Sequence, residues 1–206
     1  MQGFIDYFRQ YWYLFVIFVV AFIAMLFMFK KAGAALAKTK AEKEKLMKKL
    51  DHMKMIRETY SDLTEEKILS DKTEYLLEGV ADNIQLRLEK NENMNDEFEK
   101  LNEEEKLMYA LHYFLDEAAT DASAFFRQYT KPLTPYALSA CEIIADKETL
   151  DSIKKLYDAY DEDNETESVI EEKIKELDGS IRQTLDITQA KMKAAEFIKQ
   201  NAGKFV

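Results

Sequence analysis

Residues 102–118 read NEEEKLMYALHYFLDEA, and this stretch decides the fold class. Asn102 with Glu105 three positions on is a capping-box pattern, which satisfies two N–H groups at a helix start. Leu107, Leu111, Phe114 and Ala118 then recur at helical spacing and form one apolar stripe. Such a helix is stable only when its stripe is covered by neighbours, so the flanking sequence should supply more helices.

It does. Upstream, Leu69, Leu76, Val80, Ile84 and Leu88 share a face within residues 65–90, and NENMND at 91–96 reads as a loop. Downstream, Thr120 to Ala124 reads as a break before Phe125, Phe126 and Tyr129. In Lys131-Pro132-Leu133-Thr134-Pro135, Thr134 suits a helix N-cap and Pro135 the first helical position. That helix carries Ala137, Cys141 and Ile144 inward. Asp146 caps the next, with Leu150, Ile153, Tyr157 and Tyr160 inside. Ser168 and Glu171 resemble a capping box before Ile170, Ile174, Leu177, Ile181 and Leu185; a last helix holds Met192, Ala195, Phe197 and Ile198. Sustained period-two alternation is absent, and 5 Gly and 2 Pro are too few for a turn-rich β domain. The fold class read from the chain is all-α, with one acidic multi-helix domain over 61–206.

Before that domain the composition changes. Residues 11–29 read YWYLFVIFVVAFIAMLFMF, 19 residues without a charge. At 1.5 Å per residue such a helix covers about 28 Å, the thickness of a bilayer's hydrocarbon layer. Tyr11, Trp12 and Tyr13 suit the headgroup level at one end. Arg9 and Asp6 leave the preceding segment near neutral, whereas Lys30 to Arg57 carries +7, beginning with Lys30, Lys31, Lys38 and Lys40. The positive-inside rule therefore predicts a single-pass transmembrane helix at 11–29 in the cell membrane. Residues 1–10 form a short extracytoplasmic tail, and everything after Lys30 is cytoplasmic. A cleavable leader would carry its positive charge before the apolar core, and here the lysines follow it.

Residues 30–60 form a basic juxtamembrane stalk, rich in helix formers, with Leu46, Leu50, Met53, Ile56 and Tyr60 as a sparse stripe. This stripe fits either a short coiled coil or a helix packing back on the domain. Its lysines lie where anionic lipid headgroups attract them. Charge then reverses, from +6 over residues 1–60 to −16 over 61–206.

No catalytic, cofactor or metal signature emerges. Two His and one Cys give almost nothing for a structural zinc site. Asp161, Asp163 and Glu165 with Glu172 mimic a calcium-loop spacing, but Thr166 stands where that loop needs Gly, so a solvated loop is the expectation. Paired carboxylates such as Asp116 and Glu117 lack the rest of an acid–base site, His52 and His112 read as structural, and Cys141 as a small core residue. Aromatics around Tyr109 to Tyr129 sit in an acidic domain that repels a phosphate polymer, so direct nucleic-acid binding is not expected and core packing is. The chain reads as a non-enzymatic protein-interaction module, with no oligomeric state specified.

The segment from Phe98 to Val206 resembles a small bacterial helical family named after a DNA-mimic protein, the one numbered nineteen. The likeness rests on the acidic start and Tyr-Ala-Leu helix of residues 101–114, on Asp116 with Phe125 and Phe126, and on the closing segment Glu196 to Phe205. Where that family has an Asn-Asn-Gly-Gly-type turn before its aromatic pair, this chain has Ala118-Ala119-Thr120-Asp121-Ala122. The resemblance implies a binding module whose carboxylates stand in for phosphates on a DNA-binding protein's basic surface. Glu103, Glu104, Asp121, Glu162 and Asp163 are the acidic residues assigned to such a face.

Overall fold

The structure is a computed structural model that describes residues 39–40, 42–90, 93–160 and 171–206. All regular structure among the described residues is helical. The chain divides into two compact units, Met1–Met53 and Lys54–Val206. The transmembrane expectation at 11–29 lies outside the described residues, within which no helix is long and apolar enough to cross a membrane.

Helix α1 covers residues 42–60. Within the first unit it exposes Leu46, Met47, Leu50 and Met53. Within the second, Ile56 and Tyr60 are buried in the core. The rest of the second unit runs α2 (Glu65–Ser70), α3 (Leu76–Leu88), α4 (Met94–Lys100), α5 (Glu103–Ala118), α6 (Ala122–Gln128), α7 (Leu133–Ile144), α8 (Lys147–Tyr160), α9 (Glu171–Thr184) and α10 (Ile187–Gln200). A 3-10 turn, Ala202–Lys204, closes the chain.

Helix α5 is the hub. Its capping box is present, with Asn102 accepting from the Glu105 N–H (2.9 Å) and the Glu105 carboxylate from the Asn102 N–H (3.1 Å). The helix packs most extensively against α7, α6 and α3. Met108, Ala110, Leu111, Phe114 and Leu115 are all buried, a wider stripe than the four residues the sequence marks, because α5 is covered on several sides. Leu107 is only partly buried. Glu105 is also buried and is paired with Arg87 of α3. Helices α8 and α9 pack against each other, and α10 lies against α7 and α3.

Four local expectations are corrected. The single face drawn through Leu69 and Leu76 breaks because Asp71 is extended between α2 and α3; the register restarts there, so Ile68 is buried and Leu69 is 55% exposed. Met94–Lys100, whose first three residues fall in the expected loop at 91–96, is a helix: the Asn93 side chain accepts from the N–H of Asn95 (3.2 Å) and Asp96 (3.5 Å), and Phe98 alone anchors it. Such a short element gives no periodicity to read. Thr134 is not an N-cap but a buried residue inside α7, which starts one residue earlier after Pro132. Pro135 is accommodated because N–H groups of the first turn have no intrahelical partner. Met192 points outward at 60% exposure, and Ala190, Ala194 and Ile198 form the buried face of α10 instead.

The Asp146 cap holds, accepting from the Thr149 N–H at 2.8 Å. The Ala118–Ala122 loop, which has no glycine, turns without any positive-φ residue, because Asp121 is extended (φ −157°) and caps α6 directly.

Candidate functional site

The α6–α7 connection separates two clefts. Helix α6 ends where the Tyr129 N–H bonds the Phe125 carbonyl (2.9 Å), and residues 130–132 carry the chain into α7 through a cis Lys131–Pro132 peptide. On one side lies a cleft of about 380 Å³, walled by Phe98, Tyr109, Tyr113, Tyr129 and Leu133. On the other lies one of about 330 Å³, walled by Phe126, Arg127, Tyr157 and Tyr160. Tyr129, Thr130 and Lys131 border both.

Helical spacing assembles the first wall. Tyr109 and Tyr113 are one turn apart on α5, so their rings meet edge to face at 5.0 Å. Tyr129 adds a third ring 5.5 Å from Tyr113, and Phe98 a fourth 5.9 Å from Tyr109. The Tyr109 and Tyr113 hydroxyls both donate to Gln85 Oε1 of α3, the latter at 3.3 Å, and the Gln85 amide donates to Glu89 (2.8 Å). Burial pushes all three phenols above the ordinary tyrosine value. At neutral pH they therefore stay protonated, fit for stacking and for donating hydrogen bonds. In the second wall Phe126 stacks on Tyr160, 6.4 Å apart and 12° from parallel.

Behind this wall, α6 is fastened to α9 by two carboxylates on one donor. The Ser123 N–H donates to Asp121 Oδ1 (3.1 Å) and to Asp178 Oδ1 (2.8 Å). The Ser123 hydroxyl also donates to Asp121 (2.6 Å), whose other oxygen accepts from Arg127 at 2.7 Å. Burial, and then the nearby Asp121 carboxylate, raise the Asp178 carboxyl above its ordinary value. Burial acts on Asp121 in the same sense but is outweighed by hydrogen bonds from Ser123, Asp178 and Arg127, which bring it down to about 2.

The signs are opposite. The raised Asp178 contributes stability that is complete below its unfolded value and is lost as pH rises through its folded value. The depressed Asp121 contributes stability present above its unfolded value and lost as pH falls toward about 2. Asp178→Asn keeps the acceptor for Ser123 and fixes a neutral donor toward Asp121. It is expected to stabilise the protein by about 1 kcal/mol at pH 7. It should also remove the fall in urea midpoint expected of the parent as pH rises above the ordinary carboxylate range; an unchanged pH profile would rule out this clasp.

The remaining sequence-marked residues are placed as follows. Lys30, Lys31 and Lys38 lie outside the described residues, while Lys40 is helical and exposed. Glu103, exposed, and Glu104, partly exposed, open α5 and face Lys106 (3.7 Å) and Lys204 (3.9 Å). Asp121 is beyond the other end of that 16-residue helix, about 24 Å away at 1.5 Å per residue. These three acids are therefore not brought together, and each already has a cation. Glu162, Asp163 and the calcium-like spacing beginning at Asp161 lie outside the described residues.

Cys141 is completely buried, and burial pushes its thiol up. His112 is half-buried against Tyr113 (5.3 Å), and burial lowers its imidazole value. Among the described residues no group of three or more His, Cys, Asp or Glu is placed to hold a metal ion. Sequence reasoning assigned the tyrosines to core packing and missed the clefts. The i, i+4 pair Tyr109–Tyr113 was legible, but Gln85 and Tyr129 come from other helices.

The fold and its clefts define an all-helical unit with paired aromatic-walled grooves. Comparison with family models, curated proteins and solved structures gives no match.

Proposed function

We propose that this chain is a single-pass, membrane-anchored, non-enzymatic module that holds an all-α protein-interaction domain at the cytoplasmic face. One observation carries the reading: the uncharged run at 11–29 is followed at once by a +7 flank. The anchor confines the domain to the membrane and raises its effective concentration for partners there. The clefts beside Tyr129 are the surface proposed for the protein partner, since neutral phenols offer broad contact area with few rotamers to order. The lysines from Lys30 to Lys49 contact anionic headgroups. The domain itself does not bind nucleic acid.

The resemblance to the DNA-mimic family supports a second reading, in which the acidic domain is a decoy for a DNA-binding regulator. Its support is the charge of −16 over residues 61–206.

Topology reporters at the two ends test the first reading. A C-terminal reporter should be active only inside the cell and an N-terminal one only outside; a membrane-free full-length product would end it. Affinity capture from detergent then separates the readings. Capture of a DNA-binding protein that is lost in high salt supports the decoy, whereas capture that persists in salt and is lost in Tyr129→Ala supports the clefts.

A further inference from the structure

The first unit carries an apolar helix face that the proposed function leaves unused. Leu46, Leu50 and Met53 are 58%, 50% and 48% exposed. At 100° per residue they fall within about 60° of arc on α1. Lys43 and Lys49 stand on opposite shoulders of this stripe, each about 60° from Leu46. On the far side lie Asp51 and Glu44, the latter paired with Lys48 at 3.3 Å. The helix thus has a narrow apolar strip between two ammonium groups, with Glu44 and Asp51 turned away and the exposed Glu42 on the Lys49 side of the strip at its first turn. Long lysine stems beside an apolar strip allow the charges to reach headgroups while the strip sinks below them.

A second copy fits this face poorly. With Leu46 and Met53 at d and Leu50 at a, Lys43 would occupy the preceding a position. Lys49 would then face Lys54 of the neighbouring helix, a like-charge contact. An anionic surface meets Lys43 and Lys49 with the opposite sign, and only Glu42, at the first turn, with its own.

We propose that the Leu46–Leu50–Met53 face of α1 lies in the plane of an anionic lipid surface, with Lys43 and Lys49 at headgroup level. This rests on the reading of residues 11–29 as the anchor, which brings the helical stretch from Glu42 on, 13 positions beyond Phe29, to the bilayer.

The test uses the full chain carrying an environment-sensitive fluorophore at Leu50→Cys or at Asp51→Cys. The parent, whose single Cys141 is buried, is the labelling blank. Each protein is floated with phosphatidylcholine vesicles, with and without phosphatidylglycerol. All should float, but only the label at position 50, and only with phosphatidylglycerol, should shift to the blue. Replacing Lys43 and Lys49 by Gln should lower the ratio of inserted to free helix about thirtyfold, about a factor of five per lysine.

A label at position 50 that keeps its aqueous emission in floated anionic vesicles overturns the proposal. So does a shift in phosphatidylcholine alone accompanied by energy transfer between copies, which assigns the face to a second chain. Flotation lost in both vesicles removes the anchor and this proposal together. Flotation that requires phosphatidylglycerol, with position 50 shifted, removes the anchor alone.

Discussion

Phe114→Ala is expected to destabilise the helical unit by about 4 kcal/mol. Phe114 is fully buried on α5. Its ring meets Phe125 edge to face at 5.5 Å and lies 6.0 Å from Phe126. Those two rings form the inner side of α6, a helix of 7 residues that also packs against α8 and α9. Truncation removes a large buried surface and leaves a cavity that rigid helices on several sides of α5 cannot close. Domains have about 5–15 kcal/mol in total, so this is a substantial fraction of the whole. At about 3 °C per kcal/mol for a unit of this size, the melting temperature should fall by about 12 °C. Chemical denaturation of the detergent-solubilised protein, followed by near-ultraviolet dichroism of the tyrosines, measures it. Leu69→Ala, on the outer side of α2, is the matched control and should change stability by less than about 0.5 kcal/mol. A loss at Phe114 no larger than the control's would contradict the packing described.

Gly79→Ala is the second, and its sign is the informative part. In an exposed helix this exchange stabilises by about 1 kcal/mol. Here a Cβ on residue 79 would lie 2.2 Å from Tyr60 Cγ and 2.3 Å from Cδ2, in the body of the ring rather than at a flexible tip. Tyr60 cannot easily retreat. Its hydroxyl donates to Asp71 (2.5 Å) and bonds Thr73 (3.0 Å), and its carbonyl accepts from Asn83 (3.0 Å). Overpacking costs about 1–3 kcal/mol, and a contact this short belongs at the upper end, so against the gain of about 1 the net expectation is a loss of about 2 kcal/mol. Tyr60→Leu makes room at the cost of the hydroxyl's bonds. If the clash is the cause, the double variant loses less than the two single losses added together. Additive losses would place the effect elsewhere.

How much of this was legible in advance differs from element to element. The capping box of α5 and the Asp146 cap were readable because a cap is a contact within three residues of chain. Helix α4 was not, because a 7-residue element with one buried side chain has no period to detect. Leu69 and Met192 were misassigned for a related reason. A helical face read from one chain gives the spacing of candidates, but breaks and neighbouring helices decide which of them is covered. The candidate acidic face shows the limit most plainly. Glu103 and Asp121 are both acidic residues near helix starts, yet α5 holds them at its two ends.

The sequence alone determined the all-helical class, the uncharged run with its basic flank, and the reversal from +6 to −16 along the chain. These depend on local composition and on the 3.6-residue period, which need no partner to be expressed. Only the tertiary structure decided that Tyr109, Tyr113 and Tyr129 wall a cleft around Gln85. It alone showed that Asp121 and Asp178 share the Ser123 N–H, and that Gly79 must lack a side chain beneath Tyr60. In each of these the contacts between helices join residues 16 or more positions apart. Such pairings are fixed by how whole helices pack, information that no window of a few turns contains.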